Sequence, residues 1–193
     1  MTDVEFVAAI KEMRGDVAAS LSRWLVITQD QARDPFGLTG PERMAIWLYT
    51  SFNIWHQRIN FELWSGVVSA PVEVIAAALA AALQKLPKYH GLAFRGVPLF
   101  ASQNVFAAHY RPRQLIEWPA FSSAARIRQE AFRAKALFVI QAVNARSIQG
   151  YGADGDQSEV IFAPNSRFIV LAQDQSDSQI IVELQEISDE PAS

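Results

Sequence analysis

Cysteine is absent from the sequence, which excludes disulfides and thiolate metal sites and leaves no mark of the redox compartment. Histidine is scarce: His56, His90 and His109 are the only three, and none is paired at a metal-ligand spacing. No apolar run is long enough to span a bilayer, since the longest, 74–83, falls well short of the roughly 18 residues required. The opening stretch MTDVEFVAAIKEMRGD lacks the charged-then-apolar layout of a secretory leader, so a soluble protein is expected, with any export by a route not written as a cleavable signal. There is no G-x-S-x-G elbow and no phosphate-binding P-loop. Positive charge is nearly missing from one part of the chain: residues 150–193 hold one cation, Arg167, against nine acids.

What is present suits a single folded domain. The 193 residues are 50% hydrophobic and 19% charged, enough to bury a sizeable core. Cations concentrate between Arg95 and Arg146, eight of them against Glu117 and Glu130. Such a band is either a phosphate-facing surface or a solvated face.

The first half reads as helical. Phe6, Ile10, Met13, Val17, Leu21 and Trp24 recur at spacings of three and four, an apolar stripe. Asp34-Pro35-Phe36-Gly37 interrupts it. Pro41 then opens a long predicted helix with Met44, Leu48, Phe52, Trp55, Ile59 and Leu63 on one face, ending at Gly66. Pro71 starts a third, alanine-rich helix that stops before Pro87. The second half reads mostly as strands: 92–97, 114–118, 121–123, 136–143, 158–162, 167–173 and 179–187, with a helix predicted over 124–135 and a frayed tail over 188–193. Helices followed by antiparallel strands define an α+β fold.

Gly150-Tyr151-Gly152-Ala153-Asp154-Gly155 matches the dinucleotide-binding pattern G-x-G-x-x-G. That pattern needs a helix whose N-terminus faces a pyrophosphate. Here 158–162 reads as a strand and Pro164 would break any helix, so the glycines are expected to form a loop between strands.

Three short pieces carry chemistry-bearing residues. YHGLAFRGV, 89–97, sets Arg95 inside an apolar strand next to Gly96; the plain alternative is an edge strand with Arg95 in water. WPAFSSAA, 118–125, ends a strand with Ser122 and Ser123, which would equally cap a following helix. DQSEVIF, 156–162, sets Gln157 and Glu159 two apart and so on one face of a strand, where two polar residues also suit a solvent face.

Taken in order, aromatic-Arg-Gly, then aromatic-x-Ser, then Gln-x-Glu opening the strand of VIFAPNSRF, the sequence resembles the Arg–Ser–Glu class of mono-ADP-ribosyltransferases, which includes bacterial toxins and vertebrate ecto-enzymes. The resemblance runs from about Pro41 to Ile187 and includes LYTS…IN, 48–60, and RFIVL after the glutamate. It implies a catalytic domain over 41–187, preceded by a helical segment, 1–40, and followed by a flexible tail, 188–193. It implies two packed antiparallel sheets with NAD, a substrate, held in the cleft between them and no metal.

By the same resemblance, Arg95 would grip the pyrophosphate, and Gly96 would let its backbone approach the nicotinamide amide. Ser123 would orient the glutamate and the nicotinamide ribose. Glu159 would bond the ribose hydroxyl and face the positive charge that develops as nicotinamide leaves. Gln157 would meet the acceptor, and because family members with glutamine there favour acceptors other than arginine, a protein amide is expected ahead of nucleic acid. The family's Ser-Thr-Ser run is here Ser123-Ala124-Ala125, so its later hydroxyls are missing. The toxin likeness further implies a secreted or injected effector with a macromolecular target, a neutralising immunity protein and no membrane partner. NAD hydrolysis, transfer to nucleic acid, a cytoplasmic regulatory enzyme and a non-catalytic NAD-binding domain are the competing readings.

Overall fold

In the computed structural model, residues 1–13, 17–29, 34–51, 54–99, 102–153, 158–176 and 178–188 are described. Two compact units divide them: Met1–Leu86 with the described part of 148–156, and Pro87–Ser147 with the described part of 157–193.

The first unit is helical: α1 Asp3–Glu12, α2 Val17–Gln29, α3 Gly40–Thr50, α4 Trp55–Ser65 and α5 Ala70–Lys85. Sequence sets the starts of α1 and α3, where Thr2 with Glu5 and Thr39 with Glu42 form reciprocal capping boxes that satisfy otherwise orphaned N–H groups. The apolar stripe buries as expected, with Phe6, Ile10, Met13 and Trp24 inside and the Phe6 and Trp24 rings stacked at 5.6 Å. Met44, Leu48, Trp55 and Ile59 are buried as well.

The long helix expected from Pro41 to Gly66 is two helices. At its break the Thr50 hydroxyl bonds back to the Ile46 carbonyl and the Ser51 hydroxyl to that of Leu48, and Ser51 turns extended at φ −71°, ψ 152°. Short polar side chains that compete for helix carbonyls favour such an end, and apolar periodicity does not register them. Phe52, which that stripe included, lies outside the described residues. No single helix among the described residues is long and apolar enough to cross a membrane.

The second unit is built on strands β1 Gly91–Val97, β2 Leu115–Trp118, β3 Ser122–Ala125, β4 Ala136–Ala142, β5 Arg146–Ser147, β6 Glu159–Phe162, β7 Ser166–Gln175 and β8 Ile180–Glu186, with a short helix, α6 Gln103–His109, after β1. The fold is α+β, as the sequence implies. The eight strands join in the order β2-β7-β8-β4-β1-β3-β6-β5, and the β4–β8 pair is parallel, so the sheet is mixed. In place of the two packed antiparallel sheets that the resemblance implies, the strands form one mixed sheet, because β1 and β3 pair and join what would be separate sheets. Its two halves meet at a seam where β1 and β3 share one registered pair, Phe94 with Ala125, against seven between β1 and β4.

Trp118 anchors the core of this unit, 4.3 Å from the Phe168 ring, 5.5 Å from Phe138 and 6.0 Å from Phe162. The helix expected over 124–135 is absent. Ala124 and Ala125 belong to β3, where they register with Val160 and Glu159, and only Arg128–Glu130 makes a single 3₁₀ turn. Alanine's helix propensity is a few tenths of a kcal/mol per residue, about the cost that strand pairing and burial of Ala124 override. Ser122 and Ser123 therefore pair within a strand and cap no helix.

Candidate active site

Strands β3 and β6 set the site's register. Ser123 lies opposite Ile161 and Ala125 opposite Glu159, so Ser123 and Glu159 share one face of the pair, two positions apart. The other face carries Ser122, Ala124, Val160 and Phe162, all buried, while the face of Ser123 and Glu159 also holds the buried Ile161. Glu159 is half-buried as the first residue of its strand.

Arg95 comes to the same place from β1. Phe94 registers with Ala125, which puts Phe94 on the face of Ser123 and Glu159 and Arg95 on the other. Its guanidinium reaches the strand edge, where Nη1 donates to the Ser123 carbonyl at 2.6 Å. Arg95 is half-buried, so it is not the water-facing edge residue of the plain alternative. It is close enough to Tyr110 to act on its hydroxyl: burial pushes that group's pKa up, while the Arg95 charge and a hydrogen bond with Trp118 oppose the rise.

Gly96 is a site of close approach. A Cβ there would collide with the carbonyl oxygen of Phe132, whose backbone lies on that side of the strand. The segment from Arg126 to Lys135 thus straps across β1. At its start Arg126 N–H donates to the Ser158 carbonyl at 2.7 Å, and a Glu130 carboxylate oxygen accepts from Ser158 N–H at 3.4 Å. At its end the Ala134 and Lys135 carbonyls accept from the Gln179 side chain and Ile180 N–H. The Arg126 guanidinium covers the Tyr89 ring at 5.0 Å. A cavity of about 550 Å³ opens beside the strap, lined by Pro98, Leu99, Ser102 and Phe132 with the cations Arg133 and Lys135.

The strap is the part of the site that sequence reasoning missed, because 124–135 reads as a helix. The signal it did carry is Phe132 beside Arg133, an exposed aromatic in the most basic stretch of the chain. Gln157 lies outside the described residues. The glycine-rich stretch, where it is described, is a turn, with Gly150 at φ 86° and Tyr151 N–H bonded to the Ile148 carbonyl, and the next described element is strand β6. No helix follows it among the described residues, so it is not a dinucleotide cradle. Among those residues, no cluster of three or more His, Asp or Glu side chains is placed to hold a metal ion.

The α+β fold thus carries Arg95, Ser123 and Glu159 on the adjoining strands β1, β3 and β6, with the Arg95 side chain on the opposite face from the other two. Residues 4–192 match the model of the family NAD:arginine ADP-ribosyltransferase (ART), and the chain belongs to that family. It is 29% identical over 135 residues to a Mycobacterium avium (strain 104) protein named as an NAD(+)–arginine ADP-ribosyltransferase, Mav. That match takes in 67% of this chain and only 16% of the relative's length. The fold is similar to that of the type III effector XopAI of Xanthomonas axonopodis pv. citri, with a TM-score of 0.80 at 17% identity over 97% of this chain and 89% of that one. It is similar also to the ADP-ribosyltransferase HopU1 of Pseudomonas syringae pv. Tomato DC3000, with a TM-score of 0.69 at 17% identity over 82% of each chain.

Proposed function

We propose that this chain is a mono-ADP-ribosyltransferase that moves ADP-ribose from NAD to a macromolecular acceptor. The observation that carries the reading is the junction of β1, β3 and β6: Arg95 bonded to the Ser123 carbonyl, and Ser123 on one face with Glu159. In this reading residues 41–187 form the catalytic domain, 1–40 a helical preface and 188–193 a tail.

Arg95 holds the pyrophosphate through its planar fork of donors. Gly96 offers its N–H and carbonyl to the nicotinamide amide along the strand edge. The bond between nicotinamide and the ribose C1′ breaks with its electron pair leaving on nicotinamide. Glu159, oriented by Ser123, bonds the ribose hydroxyl and faces the cationic sugar, a stabilisation that exists only once charge has developed. The acceptor then attacks C1′ and gives up a proton.

The acceptor in this reading is not arginine, although the family's name contains that residue, because Gln157 replaces the carboxylate that would attract a guanidinium. A side-chain amide of a target protein comes ahead of a nucleic-acid base, since the last part of the chain is acidic and repels a polyanion. The likeness to a type III effector supports delivery into a target cell. Incubating the chain with labelled NAD and identifying products by mass spectrometry tests the proposal. Labelled protein is expected; free ADP-ribose alone would make it a hydrolase, labelled nucleic acid would move the acceptor, and no release of nicotinamide would make it a binding domain.

A further inference from the structure

Tyr110 sits near Arg95 with a hydroxyl whose position is fixed. Its backbone is pinned at the end of α6, where its N–H donates to the Ala107 carbonyl at 3.1 Å. The Gln173 side chain on β7 donates to the same carbonyl at 3.0 Å, which ties the helix end to the sheet. The ring is held by Phe106, centroids 4.8 Å apart, and by Phe138 at 5.0 Å. Phe138 registers with Arg95 across β4 and β1, so the Arg95 stem lies on the face against which Tyr110 and Trp118 pack. The polar groups that reach the hydroxyl are both donors. The Trp118 indole N–H can only donate, and the phenolic oxygen accepts from it. The Arg95 guanidinium acts on the hydroxyl through its charge and has no atom that accepts.

A phenol has one proton to give, and a phenol flanked by donors must give it elsewhere. Among the described residues no side chain or carbonyl accepts it. An anionic oxygen at the Arg95 fork would complete it, and of that fork one N–H is taken by the Ser123 carbonyl. Burial pushes the Tyr110 hydroxyl above its ordinary pKa, against the pull of Arg95 and Trp118, so at neutral pH it is an uncharged donor that does not repel a phosphate. On the reading that assigns Arg95 to the pyrophosphate, we propose that Tyr110 is a further substrate-binding residue, its hydroxyl donating to a pyrophosphate oxygen of NAD beside the Arg95 guanidinium. Two donors of different kinds then meet one diphosphate, a charged fork from β1 and a neutral hydroxyl from the end of α6.

The size of the effect follows from the kind of bond. A hydrogen bond to a charged acceptor is worth about ten-fold in affinity or more. This one forms whether or not the bond to nicotinamide has broken, so its loss falls on binding and spares the chemical step. ADP-ribose keeps the diphosphate and should feel the loss; nicotinamide alone carries no phosphate and should not. Phenylalanine at this position keeps the ring that packs on Phe106 and Phe138.

The test uses Tyr110→Phe in the intact chain, alone and combined with Arg95→Lys. Affinity for ADP-ribose is read by calorimetry, KM and kcat from nicotinamide release, nicotinamide affinity from product inhibition, and folding from the melting temperature. Tyr110→Phe should weaken ADP-ribose about ten-fold and raise the KM for NAD in step, with kcat within about two-fold and nicotinamide affinity unchanged. Added to Arg95→Lys, it should weaken ADP-ribose again, by about three-fold or more. Unchanged affinity for ADP-ribose overturns the contact. Equal losses for ADP-ribose and nicotinamide would make Tyr110 merely structural, and no further loss on top of Arg95→Lys would mean that it acts only by placing Arg95; either result overturns the direct bond. A wild-type chain that binds ADP-ribose yet releases no nicotinamide would overturn the proposed function itself, a result distinct from any of these because that affinity is read without turnover.

Discussion

The Arg95 guanidinium and the Ser123 backbone carbonyl are joined at 2.6 Å across the narrowest point of the sheet. One registered residue pair holds β1 to β3 there, so the side-chain bond is a second tie between the two halves. A charge-assisted bond of this kind contributes about 1.5–3 kcal/mol, more than a neutral strand bond. In the proposed function the same cation holds the pyrophosphate, and one side chain would then both tie the strands and receive the substrate. The serine's carbonyl is the atom engaged, which leaves its hydroxyl to work on the face it shares with Glu159.

Arg95→Lys is expected to weaken NAD binding by about ten-fold or more even though charge is conserved, because lysine presents a point charge in place of a fork. The melting temperature should fall as well, from loss of the tie to Ser123. Isothermal titration and thermal unfolding on the same sample separate the two duties. Unchanged affinity with a lower melting temperature would restrict Arg95 to the seam.

Glu159→Gln should nearly abolish nicotinamide release while NAD still binds. An opposite charge about 4 Å from the forming oxocarbenium is worth about 4 kcal/mol at an effective dielectric near 20, or roughly three decades of rate. A single-turnover assay of nicotinamide release reads this directly. A rate within about a factor of ten of wild type would remove Glu159 from the chemistry.

The strands that carry the candidate residues are legible along the chain because each is written locally. Arg95 stands out as a cation in an apolar strand, and Glu159 opens one whose next residues, Val160, Ile161 and Phe162, are all buried. The strap over Gly96 is not legible, since residues 124–135 have helical composition and only pairing with β6 makes 124–125 a strand. Helix α6 was also missed: seven residues capped by Ser102 are too few for a periodic signal. Nor does any local pattern announce that β4 and β8 run parallel, because that depends on how distant segments order themselves in the sheet. The contacts of Tyr151 with Asp34 and Phe36 escape for the same reason, those partners being more than a hundred positions away.

Gly96→Ala should destabilise the fold by about 1–3 kcal/mol, the range for inserting a methyl group where none fits. The new Cβ meets backbone, the Phe132 carbonyl, which moves only if the whole strap moves. For a chain of this length the melting temperature would drop by roughly 2–12 °C. Proteolytic nicking between Arg126 and Lys135 should quicken in the same variant. An unaltered melting temperature with unaltered nicking would mean that the strap lifts away at no cost.

In the proposed function Gln157 decides what receives the ADP-ribose. Its neutral amide offers one acceptor and two donor hydrogens, which complement another amide or a base edge and hold no special attraction for a guanidinium. Gln157→Ala should therefore cut transfer sharply while nicotinamide release persists, since Glu159 is untouched and water can still capture the sugar. Gln157→Glu should move in the other direction, raising transfer to agmatine by supplying a carboxylate that orients its cation through charge-assisted bonds. Peptide mapping of the wild-type product should find label on asparagine or glutamine. Label on arginine, or equal loss of transfer and release in Gln157→Ala, would sink the assignment: in the first case a neutral glutamine would be handling a cation, and in the second the residue would belong to bond cleavage and not to acceptor choice.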